Sequence, residues 1–184
     1  CFSPWLYYSP FFRVYTRLLG RPGRADKDFM VSRMRRGEHL ALIPGGFEEA
    51  TLTSGGTLDR VYIKKRAGFI KYCLEYGVSV CPVYAFGEHA LYGNVQGMWR
   101  LRLSLNKHGM PAVAPFGLAG TFLPRRRPLH VVVGAPVAFE RTANPTAADV
   151  AAAHKRYVDA LVELFERHKG RCHEERHKGK LELW

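Results

Sequence analysis

Residues 40–51, LALIPGGFEEAT, place two glycines and two glutamates directly after an apolar run. Gly45 and Gly46 let a ligand approach the backbone where a Cβ atom would clash. The N–H groups exposed at such a turn can hold an anion or stabilise an oxyanion. The carboxylates of Glu48 and Glu49 repel anions, so we expect one of them to bind an arginine or to accept hydrogen bonds from a hydroxyl group or a backbone turn.

The same stretch has a simpler interpretation. A tight turn at Pro44, followed by a helix whose first turn is acidic, gives the same pattern, because carboxylates stabilise a helix N-terminus. The stretch alone leaves both interpretations open.

Two further segments have residue types suited to a ligand site. Residues 84–93, YAFGEHALYG, end a second apolar run in Gly87 and Glu88. Because ligands bind beyond the strand ends of an open α/β sheet, we expect the two Gly–Glu ends to line one crevice. Residues 61–71, VYIKKRAGFIK, are basic. They fit either a solvated helix start or phosphate contacts for a nucleotide-containing substrate such as coenzyme A.

Three segments have the apolar spacing of helices, and each is closed by a glycine. The last is the clearest, with Thr146 as the expected N-cap and Asp149 three residues later. The predicted helices are residues 28–37, ending at Gly37; residues 67–75, ending before Gly77; and residues 143–170, ending at Gly170.

Three short apolar runs predict buried strands, at residues 39–43, 79–87 and 130–137. Pro82 places the second run at a sheet edge or a bulge. Residues 98–107, MWRLRLSLNK, alternate apolar and polar side chains, which predicts either a strand or a basic segment on a lipid surface. The alternation of helices and strands indicates an α/β sandwich.

The composition predicts one globular domain with a basic surface. The chain has 184 residues, 47% of them hydrophobic, and a formal net charge of +12. This charge favours anionic partners such as acidic lipid headgroups, phosphorylated molecules or nucleic acid. No nucleic-acid-binding motif is present, so we expect no nucleic acid partner.

The sequence also bears on the environment of the chain. The sequence contains no apolar run of about 18 residues, which is the length that a helix needs to span a bilayer. The aromatic segment at residues 1–12, CFSPWLYYSPFF, suits either a membrane interface or packing on the core. The four cysteines lack a disulfide-framework spacing, which favours a reducing compartment. A C-terminal cluster fits a metal site less well than a solvated basic tail; it consists of His168, Cys172, His173 and His177.

Four segments in this order carry a family resemblance: LIPGGFEEA, KKRAGFIKYCLEYGVSVCPVYAFGEHALY, PFGLAGTFLPRRRPLHVVVGAPV and NPTAADVAAAHKRYVDALVELFERHK. Together they resemble the diacylglycerol acyltransferase type 2 family, which includes monoacylglycerol and wax-alcohol acyltransferases. The resemblance runs from about Phe11 to the C-terminus. It implies acyl transfer from acyl-CoA to a lipid hydroxyl. It also implies a glycerol-phosphate-acyltransferase-like α/β sandwich, with a mixed sheet and flanking helices.

The resemblance also implies roles for individual residues. Backbone N–H groups at Gly45 and Gly46 would stabilise the oxyanion, and Glu49 would orient a histidine or bind the acceptor. The residues expected to contact acyl-CoA are Lys64, Lys65, Arg66 and Lys71. Those expected to line the site are Pro44, Glu48, Gly68, Phe69, Pro82, Tyr84, Gly87 and Glu88. Two positions depart from the family pattern, because Ala67 and Lys27 stand where the family has lysine and arginine.

The family's His-Pro-His-Gly motif, whose histidine is taken as the general base, does not occur in this sequence. We therefore expect residues 1–184 to be a single acyltransferase domain that lacks its N-terminal part, including that motif and a membrane hairpin. On its own, such a chain would be inactive. The alternative is a non-catalytic paralogue that binds acyl-CoA or lipid.

The resemblance implies diacylglycerol as the acceptor and triacylglycerol as the product. Alternative acceptors are monoacylglycerol, a wax alcohol or a lysophospholipid. No metal or other cofactor is implied, because acyl-CoA is a co-substrate. The expected location is the cytosolic face of the endoplasmic reticulum membrane, or lipid droplets, and the sequence does not specify an oligomeric state.

Overall fold

The computed structural model describes residues 14, 23, 26–53, 58–94, 97–107, 115–121, 123–172 and 179–184. Within these ranges the chain is a mixed α/β fold of helices and small sheets. Six helices and a short 3-10 turn at Leu118–Gly120 alternate with six strands. The helices are α1 (Lys27–Arg35), α2 (Gly46–Leu52), α3 (Gly68–Tyr76), α4 (Glu88–Leu91), α5 (Trp99–Lys107) and α6 (Ala147–Cys172).

The described strands form three two-stranded sheets. The strands are β1 (Leu58–Val61), β2 (Val83–Phe86), β3 (Gly93–Asn94), β4 (Pro115–Phe116), β5 (His130–Val133) and β6 (Lys180–Leu183). β1 pairs in parallel with β6, whereas β2 pairs with β5 and β3 pairs with β4 in antiparallel register. A single bridge between Val80 and Val137 extends the β2–β5 pairing beyond Pro82.

The core lies between α6 and the elements that carry the glycine–glutamate motifs. The rings of Phe86 on β2 and Phe165 on α6 stack at 5.5 Å, and Tyr84 contacts the Phe165 ring edge-on at 5.1 Å. A second apolar cluster joins α1, α3 and α6. Its buried members are Met30, Met34, Ile63, Ile70, Cys73, Leu74, Phe139, Ala153 and Tyr157. α6 therefore supports both the β2 strand and the α3 helix.

Three predicted helices are confirmed, with small changes at their ends. Asp26 caps α1 by accepting a hydrogen bond from the Phe29 N–H at 2.8 Å. Gly77 ends α3 in the left-handed conformation, at φ +66°. The Thr146 N–H donates to the Asp149 carboxylate at 2.8 Å, and the Asp149 N–H donates to the Thr146 hydroxyl at 3.2 Å, which is the predicted capping arrangement of α6.

Three predictions about single elements are wrong. Residues 39–43 are not a strand: Leu40 and Leu42 pack against the core, whereas Ile43 is exposed. Gly170 does not end α6, which continues to Cys172. Of the two interpretations of residues 98–107, the strand is wrong, because Trp99–Lys107 form helix α5, on which Arg102 and Asn106 are buried.

Some expectations concern residues outside the described ranges. These are the aromatic segment at residues 1–12 and two members of the C-terminal cluster, His173 and His177. Among the described residues, no helix combines the length and the apolar character needed to cross a bilayer.

Candidate functional site

The Pro-Gly-Gly turn leads directly into α2. Pro44 and Gly45 form the turn, and Gly46, the first residue of α2, has a φ of +58°. Only glycine adopts this left-handed conformation without strain, which explains the second glycine of the pair. α2 has seven residues and ends at Leu52. Both glutamates therefore lie in its first turn, as the simpler interpretation of the sequence also required.

Position 45 requires glycine for a different reason, which is that the Glu49 side chain approaches its backbone closely. A Cβ atom built on Gly45 would lie 2.3 Å from Oε2 of Glu49 and 2.5 Å from its Cβ. The Glu49 side chain therefore folds back over the Gly45 backbone, and a side chain at position 45 would displace it. Gly45 itself is buried.

The Glu49 carboxylate is held by a backbone group from the segment that follows β1. Its Oε2 accepts a hydrogen bond from the Tyr62 N–H at 2.9 Å. Burial raises the pKa of Glu49 to about 7, and the charge of Glu88 adds to this effect. The Tyr62 hydrogen bond and the charge of Arg66 act in the opposite direction. Glu49 consequently changes its protonation state near neutral pH, where a glutamate suits proton transfer.

Glu48 has the arginine partner that the sequence predicted for one of the two glutamates. Arg66 Nη2 lies 2.5 Å from Glu48 Oε2. The same guanidinium lies 5.3 Å from the centre of the Tyr62 ring. The two glutamates thus have separate partners: Glu48 fixes the basic loop, and Glu49 binds the backbone beside it.

The second Gly–Glu segment lies near enough to the first for the charge of Glu88 to raise the pKa of Glu49. Gly87 follows β2 with a φ of +89°, and a Cβ there would lie 2.2 Å from the Pro128 carbonyl oxygen. Glu88 follows at the start of α4, and desolvation by the surrounding protein raises the pKa of its carboxyl group. Burial raises the pKa of Tyr84 well above its usual range, with further contributions from Asp59, Glu49 and Glu88.

An aspartate–histidine pair adjoins these carboxylates, and the sequence did not single it out. Asp59 on β1 is buried, with 4% of its surface exposed, and its Oδ1 lies 3.4 Å from Nδ1 of His89 on α4. Tyr84 also hydrogen-bonds to Asp59. A buried carboxylate beside an imidazole is an arrangement that orients the ring.

Tyr157 on α6 is a core residue that also lies near Glu49. Its ring contacts Phe69 edge-on at 5.4 Å. Burial raises the pKa of Tyr157 to about 12, and the nearby Glu49 charge contributes. The spacing of α6 marks Tyr157 only as a core position, so its polar surroundings have no sequence signal.

Comparison with known proteins places the chain in a family. The family model described as "Diacylglycerol acyltransferase" matches residues 4–183. The chain belongs to the diacylglycerol acyltransferase family. The match includes every residue of the site described above. No solved structure matches it.

Three relatives illustrate the breadth of this diacylglycerol acyltransferase family. The chain is 32% identical to a 2-acylglycerol O-acyltransferase 1 from Bos taurus, with 91% of the chain and 54% of the relative covered. It is 32% identical to an acyl-CoA wax alcohol acyltransferase 2 from Mus musculus, with 89% of the chain and 53% of the relative covered. It is 35% identical to a diacylglycerol O-acyltransferase 2 from Dictyostelium discoideum, with 74% of the chain and 44% of the relative covered. The chain spans about half the length of the curated relatives it matches.

The four basic residues that were expected to contact acyl-CoA fall into two groups. Lys64 and Lys65 are exposed in the turn between β1 and α3. Arg66 is already engaged by Glu48, and Lys71 lies 3.8 Å from Glu75 one helical turn away. The two turn lysines are therefore better placed for an anionic ligand than the other two.

The remaining predicted residues, Gly68, Phe69 and Pro82, carry no charge. Gly68 begins α3 with open space around it, and Phe69 packs on Tyr157. Pro82 is buried, and its carbonyl accepts a hydrogen bond from the Gly134 N–H at 2.8 Å. The described residues contain no group of three or more histidine, cysteine, aspartate or glutamate side chains that could hold a metal ion.

Proposed function

We propose that the protein transfers an acyl chain from acyl-CoA to a lipid hydroxyl, with diacylglycerol as the acceptor and triacylglycerol as the product. The family match over residues 4–183 carries this proposal. The proposed fold is a glycerol-phosphate-acyltransferase-like sandwich of a mixed sheet with flanking helices, although the described strands pair only as three two-stranded sheets. Relatives named for 2-acylglycerol and wax alcohol support the same chemistry with other acceptors.

The proposed reaction is a direct transfer. A base removes the proton of the acceptor hydroxyl, and the oxygen attacks the thioester carbonyl carbon. The carbonyl oxygen then carries the negative charge of the tetrahedral intermediate, which N–H groups at Gly45 and Gly46 stabilise. When the intermediate collapses, the C–S bond breaks, and the coenzyme A thiolate leaves and takes up a proton. The products are an ester and free coenzyme A.

In this proposal Glu49 acts on the acceptor side of the reaction. Its carboxylate accepts a hydrogen bond from the acceptor hydroxyl or from the histidine that serves as the base. The contact with the Tyr62 N–H fixes one carboxylate oxygen. The raised pKa of Glu49 keeps its protonation state responsive near neutral pH.

The base is proposed to be a histidine of the family's His-Pro-His-Gly motif, supplied from outside residues 1–184. His89, beside Asp59, is the rival within this chain. Removing a general base lowers kcat by at least about 100-fold. Because His89 is not the proposed base, we expect His89→Gln to leave kcat within roughly tenfold of the parent. A larger fall in kcat, together with disappearance of the part of the pH profile that reports the base, would identify His89 as the base. His39→Gln, at an exposed position, is the matched control.

The coenzyme A phosphates are proposed to bind at Lys64 and Lys65. We expect the double substitution Lys64→Gln/Lys65→Gln to raise the KM for acyl-CoA by roughly tenfold, with little change in kcat, because two charge-assisted contacts are lost. Steady-state kinetics with varied acyl-CoA measures this. Lys155→Gln/Lys169→Gln on α6 has the same charge change and is the control. An unchanged KM would place the phosphates elsewhere.

The proposed location is the cytosolic face of the endoplasmic reticulum membrane, or lipid droplets. The net charge of +12 suits a domain that faces anionic lipid headgroups and coenzyme A. Fractionation of cells that express the complete protein tests this. Recovery in the supernatant at physiological salt would contradict it.

The experiment that tests the function uses microsomes from cells expressing the complete protein. Labelled acyl-CoA is supplied with diacylglycerol, 2-monoacylglycerol, a long-chain alcohol or a lysophospholipid, each in a separate reaction. We expect labelled triacylglycerol as the main product. A different labelled ester would keep the acyl transfer and change the acceptor. No labelled product with any acceptor would leave a paralogue that binds acyl-CoA or lipid without chemistry.

A further inference from the structure

A buried polar cluster packs against α2. It joins Asn94 on β3 with Arg102 and Asn106 on α5, and these three side chains are 6–8% exposed. The function proposed above does not use any of them. Burying polar groups is unfavourable unless they are hydrogen-bonded, so a cluster of this kind needs a reason.

Asn94 contacts the C-terminal end of α2. Its Nδ2 lies 3.0 Å from the Ala50 carbonyl oxygen, 3.3 Å from that of Thr51 and 3.1 Å from that of Thr53. Carbonyl groups at the end of a helix have no partner within the helix, so a side-chain donor stabilises them. All three partners are acceptors, which fixes the orientation of the Asn94 amide.

α5 holds this amide and also contacts α2 directly. Arg102 Nη2 donates to Asn94 Oδ1 at 3.1 Å. Asn106 Nδ2 donates to the Thr51 hydroxyl oxygen at 2.8 Å and lies 3.3 Å from the Phe47 carbonyl oxygen. Thr51 in turn donates to the Phe47 carbonyl at 2.8 Å and is fully buried. These bonds tie the end of α2 to two elements that follow more than 40 residues later.

α2 needs such support because it is short and has no side-chain cap at its beginning. A helix of about two turns is not stable by itself, since nucleation costs more than the few hydrogen bonds return. Its position is therefore set by what binds it. Glu49 lies on α2, and the cluster contacts residues on both sides of it, from Phe47 to Thr53.

We propose that Asn94, Arg102 and Asn106 are positioning residues that hold α2, and through it Glu49, in place for the transfer. The inference rests on the proposed function for its catalytic consequence, although the hydrogen bonds stand without it. None of the three side chains is assigned a contact with substrate.

Arg102→Gln in the complete protein is the main test. Without the guanidinium, the buried Oδ1 of Asn94 loses a donor, which weakens the hold of the cluster on α2 and lets water reach Glu49. We expect kcat to fall roughly 10- to 100-fold, as for a displaced catalytic group, and the KM for acyl-CoA to change little. The acidic limb of the pH profile should move to lower pH, because exposure returns the pKa of Glu49 toward its ordinary value. Arg102→Lys keeps the charge and should restore part of kcat.

Arg100→Gln is the matched control, because Arg100 lies on the same helix with its side chain exposed. We expect it to leave kcat and the pH profile within twofold of the parent. If Arg102→Gln does not fold, Asn106→Ala removes the contacts with Thr51 and Phe47 at smaller cost. It should lower kcat and move the pH profile in the same direction.

A second readout separates this inference from the proposed function. A hydrophobic carbodiimide modifies protonated carboxyl groups, and peptide mass spectrometry gives the extent of labelling of Glu49 as a function of pH. The inference predicts a lower midpoint in Arg102→Gln than in the parent and Arg100→Gln, whether or not acyl transfer is found. An Arg102→Gln protein with a lower melting temperature but the parental midpoint and kcat would overturn it.

Discussion

Glu49→Gln should make the protein more stable at pH 8 and nearly abolish its acyl transfer. The raised pKa of Glu49 means that the folded state binds a proton more tightly than the unfolded state. Its contribution to stability is fully present below the unfolded value of 4.5 and is lost as the pH rises through about 7. Glutamine is neutral at every pH, and its amide oxygen can still accept the Tyr62 hydrogen bond.

The expected gain in the free energy of unfolding is at most about 3 kcal/mol at pH 8, and close to zero near pH 4.5. Denaturant unfolding of the parent and the variant at the two pH values measures it. Glu140→Gln, at an exposed position, is the control and should show no such pH-dependent gain. A variant that is equally destabilised at both pH values would contradict the desolvated environment of Glu49.

The loss of transfer follows from the proposed role of the carboxylate. We expect kcat to fall roughly 100-fold or more, since glutamine is a weaker acceptor and does not ionise. In the parent, the rate should rise with pH through a midpoint near 7, and in the variant this limb should disappear. Glu49→Ala with full activity would remove Glu49 from the site altogether.

Gly45→Ala is expected to have the second-largest effect, although it adds only one methyl group. The new Cβ would lie 2.3–2.5 Å from three atoms of the Glu49 side chain, including its Cβ, which cannot move without α2. We expect a loss of about 1–3 kcal/mol in stability from the forced repacking. Displacement of the carboxylate should also lower kcat by roughly 100-fold.

Gly170→Ala is the control for this substitution. Gly170 lies inside α6 with open space around it, so alanine should stabilise the helix by about 0.5–1 kcal/mol and leave kcat unchanged. Thermal unfolding and kinetics of the two variants measure both effects. If Gly45→Ala keeps the parental kcat, the close contact with Glu49 has no functional consequence.

The sequence predicted the parts of the site that depend on local chemistry. The Pro-Gly-Gly turn and the acidic start of α2 follow from residue types near one another in the chain. An arginine was one of the partners expected for a glutamate, but Arg66 itself was expected to contact acyl-CoA. The sequence indicates that both Gly45 and Gly46 matter, but it does not show that each position requires glycine for a different reason. One lies under a side chain and the other has a positive φ, and only coordinates separate the two.

The parts that were missed depend on contacts between distant residues. Asp59 and His89 lie 30 residues apart, and nothing in either segment indicates the pairing. Residues 98–107 alternate every second residue, which is the spacing of a strand. Arg102 and Asn106 are one helical turn apart, but in the strand pattern both count only as polar positions. Arg102 donates to the Asn94 side chain, and Asn106 donates to the Phe47 carbonyl and the Thr51 hydroxyl on α2. No local pattern in the sequence records these contacts.

The parallel pairing of β1 with β6 has a consequence for synthesis. Leu58 pairs with Lys180, and the carbonyl of Trp184 accepts hydrogen bonds from the N–H groups of Ile63 and Lys64. Tyr62, which holds Glu49, lies within this segment. At ribosomal speed the two strands emerge roughly ten seconds apart. In a nascent chain, Glu49 and Tyr62 are therefore in place for about ten seconds before β6, the strand that pairs beside Tyr62, has been made.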